Sequence, residues 1–185
     1  MNRQNPTIVP DFLDAATCRG VRKAMDRGAG EPAEILLDGV ALDAAVRRAS
    51  SIEVDPVTLA VVEERLDAAR GSLSARCGVA LSGREGAGFI RYSEGGFYGP
   101  HRDRGDDPQW PAAARRRIAV VVFLNSGGFR GGELVIYPEP PAEHVRDALE
   151  IPPREGLLVA FDAARLHEVR PVAGGIRDVI VDWFY

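Results

Sequence analysis

Two side chains able to hold a metal ion stand two residues apart in the stretch "EGGFYGPHRDRGDD", residues 94 to 107: His101 and Asp103. Imidazole and carboxylate both ligate divalent cations, and in an extended strand residues i and i+2 face the same way. The competing reading is a polar turn that carries a histidine by chance. The pair alone is a weak signal, because the chain has 27 acidic residues to place near its three histidines.

The far end, "LHEVRPVAGGIRDVIVDWF", is more specific. His167 heads an extended run, Gly174-Gly175 can turn the chain, and Arg177 opens the next run. That spacing predicts a hairpin with His167 and Arg177 on neighbouring strands. Two histidines and one carboxylate on one side of an iron leave its other positions free, as in non-haem Fe(II) oxygenases. An arginine deeper in the same barrel could grip a carboxylate with two parallel hydrogen bonds, which suggests a dicarboxylate cosubstrate. The third histidine, His144 in "PPAEHVRDALE", reads as a loop or short-helix residue outside this set.

Elements must position these groups. Residues 11 to 28 have helical periodicity, with Asp14 as a possible cap, Cys18, Val21 and Met25 on one face and Gly28 as a stop. A second helix is predicted from Asp55-Pro56, with Leu59, Val62, Leu66, Ala69 and Leu73 on its apolar face. Between them, "EILLDGVALDAAVRRASSIEV" fits a short strand, a short helix and another strand. After Gly83 the runs "GFIRY", "RIAVVVFLN", "GELVIY", "GLLVAFD", "HEVRPV" and "RDVIVDWF" read as strands separated by turn residues. Gly127, Gly128, Gly131 and Gly132 read as a strand-connecting turn, and no helix pattern follows them to make a phosphate loop. The expected fold is α+β but mainly β. It is a jelly-roll core with N-terminal helices packed on one outer face.

The chain's 185 residues suit one domain, helical over about 1–82 and jelly-roll over about 83–185. With 45% hydrophobic and 27% charged residues it reads as a globular protein, and a net charge of −4 gives no general affinity for nucleic acid or anionic membrane. The one basic run, Arg115, Arg116 and Arg117, reads as a solvated face. No signal-peptide or membrane-spanning pattern is present in the sequence, and Cys18 and Cys77 match no zinc or redox spacing. They read as core residues of a reduced, cytoplasmic protein.

From about Phe89 to Phe184 the chain resembles the 2-oxoglutarate/Fe(II)-dependent dioxygenases, in particular their prolyl 4-hydroxylase-like branch. The pieces that carry the resemblance are "RYSEGGFYGPHRD", "VVFLN" followed by "GGEL", "GLLVAFD" and "HEVRPVAGGIRDVIVDW", in the family's order. "IVPDFLDAATC" is similar to the family's opening strand and helix. The resemblance implies a double-stranded β-helix (the jelly-roll of cupins), with His101, Asp103 and His167 as Fe(II) ligands and Arg177 as anchor for 2-oxoglutarate. It places Tyr92 and Tyr98 in the pocket and Trp183 beside the substrate. Two departures are visible: "IAVVVFLN" has no hydroxyl residue beside the distal carboxylate, and Val179 stands where other branches have serine. The Tyr92 hydroxyl is the replacement candidate.

The implied activity is hydroxylation of an aliphatic C–H bond, consuming 2-oxoglutarate and O2 as cosubstrates. A carboxylate at Asp103 fills the position that halogenating relatives leave open. The expected substrate is a prolyl residue of a protein or peptide. The alternatives are a tailoring hydroxylase of a free amino acid or small metabolite and, from another class, a cupin-like binding module without turnover. Tyr98, Trp183 and Trp110 could give the pocket apolar walls with polar tips. Arg102 and Arg104 would face outward, toward an acidic or carboxylate-bearing partner, which makes Arg102 a candidate substrate contact. Oligomeric state is not legible.

Overall fold

The computed structural model describes residues 5–36, 40–41, 43–106, 111–139 and 148–185. Trp110 and His144 lie outside them. Helix α1 (Ala15–Arg27) begins where the Asp14 carboxylate accepts from the Thr17 N–H at 2.8 Å. It starts later than the periodicity suggests, because Asp11 sits at φ 53, a left-handed conformation no helix accommodates. Helix α2 (Pro56–Cys77) is capped in the same way by Asp55 and ends at Gly78, φ 66. Val62, Leu66 and Leu73 are buried, but Leu59 is exposed together with Val57 and Val61. The first turns of α2 therefore lie outside the core, which the helix enters only at Val62.

Seven antiparallel strands form the major sheet. In spatial order they are β1 (Thr7–Val9), β13 (Leu158–Asp162), β9 (Ile118–Phe123), β16 (Arg177–Phe184), β7 (Gly88–Tyr92), β6 (Ser50–Ile52) and β2 (Gly30–Pro32). The five-stranded minor sheet runs β12 (Leu149–Ile151), β11 (Leu134–Ile136), β14 (His167–Val169), β8 (Phe97–His101) and β5 (Arg47–Arg48). Two small ribbons pair β10 (Phe129–Gly131) with β15 (Val172–Gly175) and β3 (Ile35–Leu36) with β4 (Val40–Ala41). A short helix, α3 (Pro111–Arg115), leads into β9. The N-terminal part is thus not only helical, since β1, β2, β5 and β6 join the two sheets. Within "EILLDGVALDAAVRRASSIEV" the described residues form strands and a turn. Asp43 accepts from the N–H groups of Val46 and Arg47 for one turn before β5 pairs with β8.

Strand alternation divides the apolar residues into two cores. Ile118, Val120 and Val122 of β9 and Ile180 and Phe184 of β16 pack with Cys18, Met25, Val62 and Leu66 of the helices. Ala119, Phe123 and Val179 point the other way, onto Leu134, Ile136 and Val169 of the minor sheet. This is a double-stranded β-helix with helices on the outer face of its major sheet. The space between the two sheets holds the buried His167 and Arg177.

The predicted hairpin between His167 and Arg177 does not form. β14 lies in the minor sheet and β16 in the major, while β15 between them pairs with β10. Gly175, at φ 82, packs its backbone so tightly against Gly128 that a Cβ there would meet the Gly128 carbonyl oxygen at 1.9 Å. That contact draws the glycine pair to β10 and carries the chain from one sheet to the other.

Candidate active site

His101 and His167 are direct cross-strand partners, one on β8 and one on β14. The next matched pair is Tyr98 with Val169, so β8 advances three residues while β14 advances two. This bulge turns Tyr98 and His101 to the same inner face, and their rings stack at 3.4 Å between centroids. Asp103 arrives differently from the expected i, i+2 alternation, since β8 ends at His101. The N–H groups of Asp103 and Arg104 both donate to the Ala163 carbonyl, at 3.0 and 2.9 Å, and this pins the turn under the histidines.

The donor atoms converge. Asp103 Oδ1 lies 3.5 Å from His101 Nε2, and Asp103 Oδ2 lies 3.5 Å from His167 Nε2. One ligand atom from each of the three residues falls within 4.8 Å of the others. His101 Nδ1 is 2.8 Å from the Gly99 carbonyl and His167 Nδ1 is 2.9 Å from the Arg165 carbonyl. Because a carbonyl only accepts, each Nδ1 carries the proton and each Nε2 presents its lone pair to the shared centre. Burial, and then His101 beside it, push the His167 pKa down to about 4, so the ring is neutral at pH 7. Burial works against ionisation of Asp103, yet His167 and His101 hold its carboxyl well below the usual carboxylate range. Two imidazoles and a carboxylate, too far apart for good mutual hydrogen bonds, suit a divalent transition metal with an open face.

Arg177 fits an organic anion. It is completely buried, and Nε, Nη1 and Nη2 all lack a hydrogen-bond partner. Burial pulls its pKa down to about 10, which leaves it cationic at neutral pH. Its guanidinium carbon lies 4.9 Å from the Tyr92 ring and 5.0 Å from the Phe123 ring. Gly132 makes room, for a Cβ there would sit 2.6 Å from Arg177 Cδ. Asn125 fixes the backbone on both sides, donating to the Ile176 carbonyl at 2.8 Å and accepting from the Asp178 N–H at 3.0 Å. A buried cation with every donor unsatisfied is costly, and a carboxylate is what would satisfy it.

Trp183, Tyr92 and Tyr98 are brought to the same interior. The Trp183 indole N–H is buried without a hydrogen bond of good geometry, yet lies close enough to Asp103 to help hold the carboxylate ionised. Arg102 is not brought in: it pairs with Glu139 and donates to the Ala164 carbonyl on the outer side. Arg104 faces Asp162 at 3.6 Å. The arginine run also differs from expectation, because Arg116 is buried. It takes Glu85 with two hydrogen bonds of 2.7 Å, donates to the Asp103 backbone carbonyl at 3.0 Å, and lies 3.8 Å from the Trp183 ring. Sequence reasoning missed Arg116, Glu85 and Asn125 as supports, and it missed Arg47, which stands 4.6 Å from the Tyr98 ring. Alternation into β9 was the available signal for Arg116. Arg47 had none before β5 was seen to pair with β8.

A family model described as the 2OG-Fe(II) oxygenase superfamily matches residues 87–185. Among curated proteins, a PKHD-type hydroxylase of Prochlorococcus marinus (strain MIT 9211) is 31% identical over 99 residues, 53% of this chain and 40% of the relative. One of Stenotrophomonas maltophilia (strain R551-3) is 33% identical over 103 residues, 51% of this chain and 40% of the relative. The chain therefore spans well under half the length of these relatives. A Pseudomonas putida prolyl-4-hydroxylase superposes with a TM-score of 0.69 at 24% identity, covering 98% of this chain and 92% of that one. A Trichoplax adhaerens prolyl hydroxylase in complex with a hypoxia inducible factor peptide fragment gives 0.75 at 22% identity, covering 98% and 84%. At these identities the two structures show the fold.

Proposed function

Because the chain belongs to the 2OG-Fe(II) oxygenase superfamily, we propose that it hydroxylates an aliphatic C–H bond, on a prolyl residue of a protein or peptide. The observation that carries the reading is Arg177, buried with three unpartnered guanidinium nitrogens in the interior that holds the His101, Asp103 and His167 cluster. In this reading the three residues hold Fe(II) through Nε2, a carboxylate oxygen and Nε2. Arg177, with Tyr92 beside it, takes the distal carboxylate of 2-oxoglutarate. When bound, iron and cosubstrate supply the oxidation, in which O2 gives one oxygen atom to the C–H carbon and the other to succinate as CO2 leaves.

The chain's own residues do the rest. The carbonyls of Gly99 and Arg165 hold each imidazole in the tautomer that presents Nε2. Phe161, edge-on to His167 at 4.7 Å, and Tyr98, stacked on His101, exclude water from the rings. Arg116 holds Asp103 by its backbone carbonyl, which fixes the turn that aims the carboxylate at the two histidines. Tyr98 and Trp183 give the cavity flat apolar walls suited to a pyrrolidine ring. The relatives named PKHD-type hydroxylases support hydroxylation, and the neighbours named prolyl hydroxylases support a prolyl substrate. Among the described residues no helix is long and apolar enough to cross a membrane, and the free Cys18 and Cys77 suit the reducing cytoplasm adopted in this reading.

The test is mass spectrometry after incubation with Fe(II), 2-oxoglutarate and either proline-containing peptides or free amino acids. A +16 product on peptidyl proline supports the reading. The same product only on free amino acids moves the substrate to the metabolite class. No 2-oxoglutarate consumption with any substrate, and no visible charge-transfer band on anaerobic titration, would return the chain to the binding-module class.

A further inference from the structure

Arg47 faces the candidate site from the edge of the minor sheet. It is the direct cross-strand partner of Tyr98, and its neighbour Arg48 is the partner of Phe97. Partners across a ladder share a face, so Arg47 stands on the inner face with Tyr98, while Arg48 takes the outer face near Phe97. The β8 bulge extends that inner row to His101. The His101 imidazole stacks on Tyr98 at 3.4 Å between centroids, and the Arg47 guanidinium carbon lies 4.6 Å from the same ring centroid. A cation thus lies one aromatic ring away from a candidate metal ligand.

The donors of Arg47 are unequally engaged. Nη1 donates to the Glu34 carbonyl at 2.6 Å, which anchors the head group. Nε is buried without a partner, and no carboxylate among the described residues pairs with this side chain. What remains is the Nε–Nη2 edge, which accepts a carboxylate side-on with two parallel hydrogen bonds. Arg177 differs in access, being sealed inside the molecule on the opposite sheet, whereas Arg47 is partly exposed on an edge strand. A molecule arriving from solvent meets Arg47 first.

We infer that Arg47 is a receptor for a carboxylate of the substrate that is to be oxidised, separate from the cosubstrate carboxylate assigned to Arg177. This rests on the prolyl reading above and narrows it to prolines beside an acidic side chain or carrying the chain-terminal carboxylate. The experiment is fluorescence anisotropy on metal-free protein with labelled prolyl peptides in matched pairs. One pair exchanges a flanking Glu for Gln, and the other exchanges a C-terminal acid for its amide. The acid member of at least one pair binds about tenfold more tightly, as a charge-assisted contact requires, and the pair that responds identifies the source. Arg47→Ala removes the difference, Arg47→Lys keeps part of it, and Arg48→Ala leaves it intact. Arg47→Gln, which retains a donor to Glu34 without the charge, reads the same way should the alanine variant not fold. Equal binding of acid and neutral members, or an acid preference that survives Arg47→Ala, overturns the inference while leaving prolyl hydroxylation standing. In a parallel competition arm, displacement only by free amino acids, lost in Arg47→Ala, upholds the receptor and overturns the peptide substrate. If nothing in the panel binds, both fall.

Discussion

The two faces of strand β16 carry buried charged residues in opposite conditions. On the helix side, Asp178 accepts from Arg22 at 3.0 Å and from Arg91 at 2.7 and 3.0 Å, and Arg91 also reaches Asp26. Asp182 accepts from Arg84 at 2.6 Å and from the Gly86 N–H at 3.0 Å, while Arg84 is further held by Glu63 and Asp67. On the inner face, the three guanidinium nitrogens of Arg177 have no hydrogen-bond partner among the described residues. Burial is similar on both faces, so burial does not explain the difference. Groups matched by their own chain hold the strand in place. The unmatched ones, a residue away, are left for molecules the chain must bind.

That contrast breaks most sharply if inner-face substitutions cost folding, or outer-face ones cost only binding. The largest effect is expected at the metal cluster. His101→Ala, Asp103→Ala and His167→Ala each lower succinate formation at least about a thousandfold, because an iron site with one ligand missing loses its hold on the metal. Circular dichroism of each variant stays that of the parent.

Arg84→Ala leaves Asp182 buried without its cation and costs about 3–5 kcal/mol of stability in urea unfolding. The 2-oxoglutarate KM of the molecules still folded is unchanged.

Arg177→Ala should do the reverse. It raises that KM by about thirtyfold to a few thousandfold, equivalent to about 2–5 kcal/mol, with urea stability equal to or above the parent, since an unpaired buried cation is gone. Arg177→Lys recovers part of the binding. Destabilisation of Arg177→Ala to the level of Arg84→Ala would erase the distinction.

A smaller effect sharpens it through pH. In metal-free protein the unfolded His167 takes its proton near 6.5 and the folded one near 4. Between those values the unfolded chain binds more protons, so this stabilising contribution is complete above about 6.5 and is lost as pH falls toward 4. The loss is at most about 3 kcal/mol. Urea midpoints across that window should fall with acid in the parent and flatten in His167→Gln.

Much of this was readable from local pattern. Asp14 and Asp55 cap helices because each stands before an apolar periodic run, and Gly28 ends the first of them. The candidate ligands and Arg177 were also picked out by residue type and order. Their spatial relations were not. The His167–Arg177 hairpin fails because two glycines can either reverse a strand or pass it to another sheet, and only the contact of Gly175 with Gly128 decides. Asp103 reaches the histidines through the Ala163 carbonyl, a partner 60 residues away. Leu59 extended an apolar stripe beyond what any sheet covers. Arg116 was hidden in a run whose average looked solvated, and Arg47 in a stretch without a motif. Long-range pairing turned both inward.

The placement of His101 and His167 on the minor sheet and Arg177 on the major has a consequence for molecular length. Under the proposed assignments a diacid held at both ends must bridge the gap between sheets, and that gap is set by Phe123, Ile136, Val159 and Val179. The core then acts as a gauge: the separation of the sheets, and not a polar contact, limits the length of diacid that both ends can hold. Selection for chain length would thus reside in the packing of apolar side chains, and trimming one, as in Val159→Ala, should shift the preferred diacid without removing a hydrogen bond.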